Sequence, residues 1–169
     1  IIMQIYDDFL SQDECQLLRE QICFNKNFPF HLHNYVARCD DETSLWNWYG
    51  THVFYEDGNI NSQYFEFVNE IFIPKFIEMG IFKSLIRIKA NFYSNTDSIK
   101  EHGSHRDYNY SHNAAVYSLN TCDGFTRLKS GDIINSVENR LVIFDGGQIH
   151  NSSTTTNQPV RFNLNFNFN

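Results

Sequence analysis

The sequence has little proline (3 residues), little glycine (8) and few cysteines (4), and its 13 lysines and arginines are outnumbered by 20 acidic residues. Each scarcity excludes something. Proline and glycine are too sparse and scattered for a linker or a low-complexity segment, and no internal repeat is visible. A single domain over residues 1–169 is therefore expected, with a supporting region at 1–80 and a β-rich core at 81–169. Cys15, Cys23, Cys39 and Cys122 show no CxxC spacing. That argues against structural zinc and against a disulfide framework, and leaves reduced thiols in a cytoplasm as the expectation. The net charge of -7 argues against bulk nucleic-acid binding along a phosphate backbone, while a local basic pocket stays open. No apolar run reaches the roughly eighteen residues of a membrane span. No secretory signal is visible, and a chain opening on Ile1 rather than Met is expected to have its true start upstream. HExxH, the helical zinc motif, is absent.

Aromatic residues are plentiful instead, at 16% of the chain and mostly Phe and Tyr, which leans toward strands. The opening IYDDFLSQDECQLLREQI reads as a short strand and then a helix. Ser11 suits the N-cap and Glu14, three residues on, completes a capping box. Leu17, Leu18 and Ile22 give this helix its apolar stripe. The aromatic stretch 25–58 predicts strands near 31–38 and 51–55. A second helix fits 62–79, and Pro74 is expected to kink or split it. Beyond Gly80, short β-like segments alternate with turn signals, the pattern of an antiparallel sandwich or barrel.

Two of these segments alternate strictly. In SLIRIKANFY, Leu85, Arg87, Lys89, Asn91 and Tyr93 share one face, and Ile86, Ile88, Ala90 and Phe92 the other. In VRFNLNFNFN, Arg161, Asn163, Asn165, Asn167 and Asn169 oppose Val160, Phe162, Leu164, Phe166 and Phe168. One face of each strand is polar and one apolar. Polar faces ordinarily meet water. Here the two N-terminal helices need a sheet surface to cover, and that surface is the apolar one. The polar faces then line the interior of a two-sheet barrel, a place for a ligand.

EHGSHRDY, residues 101–108, carries the chemistry. A catalytic iron needs ligands that leave coordination positions open, and two imidazoles with one carboxylate on one octahedral face do so. Residues i and i+2 on a strand point the same way, as His105 and Asp107 would. His102 lacks that spacing and is expected behind the ligands or on the substrate side. An HxD pair by itself is common and weak. The third ligand must come from a distant strand, and NRLVIFDGGQIH supplies His150 after an apolar strand and a Gly-Gly turn. Arg161, farther on, faces the interior. A buried cation there is costly without an anion, and a guanidinium grips a carboxylate with two parallel hydrogen bonds. Arg161 is thus a candidate clamp for a carboxylate-bearing cosubstrate. His31-x-His33 has strand spacing but no carboxylate near it. His52 and His112 read as surface or packing groups. Arg87 and Lys89 either enter the pocket or pair with neighbouring carboxylates, and pairing is the plainer expectation. Arg106, Tyr108 and Tyr110 could form a substrate rim.

Taken in order, His105-x-Asp107, His150 and Arg161 resemble the iron(II)- and 2-oxoglutarate-dependent oxygenases, in particular the prolyl 4-hydroxylase-like branch of bacteria and bacteriophages. DDFLSQDECQLL, RIKANFY, AVYSLNTCDGFTRL and NRLVIFDGGQIH are similar to successive segments of that branch, so the resemblance covers most of the chain. It implies a double-stranded β-helix (a jelly-roll, cupin-like barrel) with supporting helices on the major sheet. It implies His105, Asp107 and His150 as iron ligands and Arg161 on the distal carboxylate of 2-oxoglutarate, with Tyr93, Asn163 and Ser118 (or Tyr117 in its stead) nearby. Asn163 replaces the small hydroxyl residue usual there, and Asp123-Gly124-Phe125-Thr126 keeps one glycine where relatives have two. The implied activity is O2-dependent hydroxylation of an unactivated C–H bond with release of succinate and CO2, ascorbate being an allowed auxiliary. The implied partner is a peptide or protein carrying proline, with a nucleotide or small molecule as alternatives. A non-catalytic cupin-like binding module and a zinc hydrolase on the same ligands compete with this reading.

Overall fold

The computed structural model describes residues 2–37 and 45–169. Its frame is an antiparallel sheet in the order β1 (Gln4–Tyr6), β9 (Arg140–Asp145), β6 (Asn113–Ser118), β11 (Val160–Phe168), β5 (Leu85–Ser94), β3 (Tyr49–Glu56) and β2 (His31–His33), with β4 (Asn59–Ile60) paired to β3. Against it lies a smaller sheet, β10 (His150–Ser152), β7 (Phe125–Leu128) and β8 (Ile133–Asn135). Isolated bridges Glu101↔Ser153 and His105↔His150 lay the HxD segment along the remaining edge of β10.

The alternation in β5 and β11 does what the pattern predicts. Ile88, Ala90, Leu164, Phe166 and Phe168 turn outward into the main core, which the helices cover. Helix α1 (Gln12–Ile22) starts at the Ser11–Glu14 capping box and buries Cys15, Leu18 and Ile22. Leu17 is exposed instead, because the stripe follows the spacing i, i+3, i+7 and Leu17 lies beside it. Helix α2 (Phe65–Glu78) inserts Phe72 and Phe76 against Phe166 and Phe168. It begins later than expected, with Tyr64 at the cap. Pro74 lies inside α2 and does not split it. The proline forfeits one hydrogen bond, and the buried flanks Phe72, Ile73 and Phe76 hold the helix across it.

The other faces of β5 and β11 turn inward. Register pairs Arg161 with Tyr93, Asn163 with Asn91, Asn165 with Lys89 and Asn167 with Arg87. Two polar columns therefore stand side by side between the sheets. The interior is not polar throughout: Ala114, Val116, Leu128, Ile134, Val142 and Phe144 form a second, smaller apolar cluster under β6 and β9. The strand expected at 31–38 ends at His33, and Arg38 and Cys39 lie outside the described residues. The strand expected at 51–55 is the middle of β3. Cys15, Cys23 and Cys122 are free thiols. Among the described residues, no helix is long and apolar enough to cross a membrane.

Candidate metal centre

His105 and His150 face each other across the bridge that joins the HxD segment to β10. Each backbone amide donates to the other residue's carbonyl, at 2.9 and 2.8 Å. In such a pair both side chains leave the backbone on the same side, and the two rings lie 4.6 Å apart. Asp107 comes back to them because its amide donates to the Gly146 carbonyl. The Gly146–Gly147 turn permits this approach. A Cβ on Gly146 would stand 2.3 Å from His112 Nε2, and one on Gly147 2.5 Å from the Tyr110 carbonyl. The result is three potential ligand atoms, one each from His105, Asp107 and His150, all within 4.8 Å of one another.

The donor chemistry fits a divalent cation. His105 Nδ1 contacts the Gly103 carbonyl at 3.3 Å and His150 Nδ1 the Gln148 carbonyl at 3.0 Å. A carbonyl only accepts, so each Nδ1 carries the proton and each Nε2 keeps its lone pair for the centre. Burial pushes the His105 imidazole down to about 4, with His150 adding to the effect. Burial would raise Asp107, but the charges of Arg87 and then Lys89 overcome it and hold the carboxyl well below its usual range. At neutral pH His105 is a neutral imidazole and Asp107 an anionic carboxylate, the protonation states metal ligation requires. Both Asp107 oxygens are also held. Arg87 Nη2 donates to Oδ1 at 2.7 Å and Asn167 Nδ2 to Oδ2 at 2.9 Å, and Asn167 Nδ2 lies 3.0 Å from His112 Nε2.

Arg161 is fully buried and sits 5.3 Å from the Tyr93 ring centroid. Its Nε donates to Ser136 Oγ, Nη1 to the carbonyls of Phe125 and Ser153, and Nη2 to Thr126 Oγ1. One N–H, on Nη2, is left over. Gly124 makes room for this side chain, since a Cβ there would lie 2.7 Å from Arg161 Cδ. Tyr93 and Asn163 line the inner cavity, and Asn163 Oδ1 accepts from Asn91 Nδ2 at 2.9 Å. Ser118 is buried on β6 beside Asn163 but outside that lining. Tyr117 points to the helix-covered core, where its hydroxyl donates to Asn139 Oδ1.

His102 is buried against the Tyr93 ring, with Nδ1 on Ser152 Oγ. Burial, then the Arg161 charge, pulls it down to about 3, so it is a neutral packing group beside Tyr93. His52 and His112 are both buried packing groups. His33 contacts Thr51 Oγ1, and neither it nor His31 joins a ligand cluster among the described residues. Arg87 pairs as expected; Lys89 does not. Its ammonium has no hydrogen-bond or ion-pair partner among the described residues, and burial, then Arg87, pulls it down to about 8. Asn167, Thr126 and Ser136 were missed as functional groups. Asn167 had a signal, its place on the polar face of β11. The two hydroxyls had none, since their role depends on where the Arg161 side chain ends.

An inner cavity of about 30 Å³ is lined by Lys89, Tyr93, Asp107, Thr126, His150 and Asn163, among others. An outer cavity of about 170 Å³ shares Lys89, Tyr93, His105 and Asp107 as walls and is bounded by His33, Tyr35, Tyr49 and Arg106. The inner space holds little more than a water molecule or two. A ligand reaching from the His–Asp–His group toward Arg161 must therefore displace side chains such as Thr126 or Asn163.

No family model matches the sequence, and no curated protein matches it. Solved structures do match the fold. The viral collagen prolyl hydroxylase of Paramecium Bursaria Chlorella virus-1, in its 2-oxoglutarate complex, aligns with TM-score 0.63 and 11% identity over 98% of this chain and 94% of that one. A prolyl hydroxylase of Trichoplax adhaerens, in complex with a hypoxia inducible factor oxygen degradation domain peptide fragment, gives 0.65 and 12% over 98% and 83%. The non-heme alpha ketoglutarate dependent epimerase SnoN from nogalamycin biosynthesis gives 0.67 and 10% over 99% and 77%. This chain, two antiparallel sheets with helices on the larger one and a His–Asp–His group between them, has the double-stranded β-helix fold of the 2-oxoglutarate–Fe(II) oxygenases.

Proposed function

We propose that the protein is an Fe(II)- and 2-oxoglutarate-dependent dioxygenase that hydroxylates an unactivated C–H bond. The observation that carries this is the convergence of His105, Asp107 and His150 at the base of a cleft, with one ligand atom from each lying within 4.8 Å of the others. Two imidazoles and one carboxylate leave open positions on a ferrous ion. Bound there with 2-oxoglutarate, the iron supplies O2-dependent oxidation, with succinate and CO2 as coproducts. The chain's own residues do the rest. Arg87 and Asn167 fix the Asp107 carboxylate. The free N–H of Arg161 and the hydroxyl of Thr126 orient the distal carboxylate of the cosubstrate, and Tyr93 and Asn163 wall it in. Tyr35, Tyr49 and Arg106 shield the outer cleft from water and receive the substrate.

A peptidyl proline is the substrate reading that the prolyl hydroxylase neighbours support, and the aromatic rim suits a proline ring. The same fold also serves an epimerase, so the substrate rests on analogy. The test is anaerobic: Fe(II) is added to metal-free protein and 2-oxoglutarate titrated while the visible spectrum is recorded. A metal-to-ligand charge-transfer band is expected, absent in His105→Ala and weakened in Arg161→Ala. Tight zinc binding with no such band would move the assignment to a hydrolase or a binding module. Succinate release with prolyl peptides against nucleotides and small acids then sorts the substrate class.

A further inference from the structure

Lys89 is the one lysine or arginine that lines the inner cavity among the described residues. It stands on the polar face of β5, paired in register with Asn165 and one rung from Arg87 and Asn167. Its own ammonium has no hydrogen-bond or ion-pair partner among the described residues. The anion nearest in the strand pattern, Asp107, is bound by Arg87 on one oxygen and Asn167 on the other. Glu56 lies 3.9 Å from Arg87 and makes no ion pair with Lys89. Of the other polar walls, Asn91, Asn163 and Asn165 are neutral amides, Tyr93, Thr126 and Ser152 carry hydroxyls, and His105 and His150 belong to the ligand group. Lys89 is only partly buried and borders both cavities, and its ammonium makes no direct ion pair among the described residues. Such a cation, aimed into a cavity, is placed for a negative group that arrives with a ligand.

We propose that Lys89 is a carboxylate-binding group of this centre, seating one carboxylate of a ligand that lies over His105, Asp107 and His150. The proposal rests on the oxygenase reading for the ligand's identity and on geometry alone for the site. It is separate from the Arg161 contact. Lys89 and Arg161 are two rungs apart along the paired strands, about 14 Å between backbones. One lysine point charge matches a single carboxylate, whereas a phosphate commonly draws several donors or an arginine fork. The carboxylate has two sources: the primary substrate, or the end of 2-oxoglutarate nearer the metal group.

The experiment separates them. Zn(II)-loaded protein is prepared with 13C-labelled lysine, and the Lys89 ε-carbon signal is assigned by its loss in Lys89→Met. 2-Oxoglutarate is added first, then N-acetylglycine, with N-acetylglycinamide as the uncharged control. In parallel, Fe(II)-protein is titrated anaerobically with 2-oxoglutarate in wild type, Lys89→Met and Lys89→Arg. A Lys89 shift on 2-oxoglutarate alone, with at least a tenfold weaker affinity in Lys89→Met and partial rescue in Lys89→Arg, assigns the carboxylate to the cosubstrate. A shift only when N-acetylglycine follows, with 2-oxoglutarate affinity unchanged in Lys89→Met, assigns it to the primary substrate. A signal unmoved by both acids, or moved equally by the amide, overturns the proposal. Loss of the wild-type Fe(II)–2-oxoglutarate band while N-acetylglycine still shifts Lys89 overturns the oxygenase reading and leaves this proposal standing.

Discussion

Asp107→Asn changes one atom and removes one charge, and it tests two roles of the same carboxylate. In wild type the Asp107 and Arg87 side chains are 4% and 14% exposed and form an ion pair at 2.7 Å. Asparagine keeps the shape and the Asn167 side but leaves Arg87 without its closest anion. Breaking one side of a buried pair costs about 3–5 kcal/mol. For a domain of this size, that lowers the melting temperature by roughly 6–20 °C. The comparison is made in chelator, so no metal contributes. Its pH dependence has a definite sign. Asp107 has a folded-state pKa depressed below the unfolded value. The stability it contributes is therefore present above the unfolded value of about 4 and is lost as pH falls through the folded one. Wild type and Asp107→Asn should differ most near neutrality and converge in acid. Metal adds the second arm. A divalent cation at a hundredfold excess over its Kd stabilises wild type by about 2.7 kcal/mol and should leave Asp107→Asn unmoved. Equal melting temperatures for the two proteins in chelator at pH 7 would refute the structural role. Equal metal-induced shifts would refute the ligand role.

Other perturbations probe the supports. Gly146→Ala places a Cβ against His112, disturbs the His112–Asn167–Asp107 chain, and should weaken metal binding about 10- to 100-fold by equilibrium titration. Phe72→Ala removes a fully buried ring that touches Phe9, Phe76, Tyr117 and Phe166, and urea unfolding should register a loss of about 3–5 kcal/mol. Ser11→Ala deletes the side-chain acceptor of the Glu14 amide and should cost about 1 kcal/mol in the same assay, with metal affinity unchanged.

What the sequence determined by itself was whatever repeats at short range. The alternation in β5 and β11 told which faces are polar before any partner strand was known, because side chains on a strand must alternate. Ser11 and Glu14 marked the start of α1 because a cap is a contact three residues long. The spacing of His105 and Asp107 allowed a shared direction, and His150 and Arg161 could be nominated once an interior was inferred. The register of the two sheets decided the rest. Only the bridge between His105 and His150 turns two histidines from distant segments into neighbours. Arg87 and Lys89 look alike in RIKANFY, yet one is paired with Asp107 and the other faces the cavity without a partner among the described residues. Which of two like charges meets Asp107 depends on where a loop farther along the chain returns. That is set by sheet closure, a long-range event with no local period in the sequence.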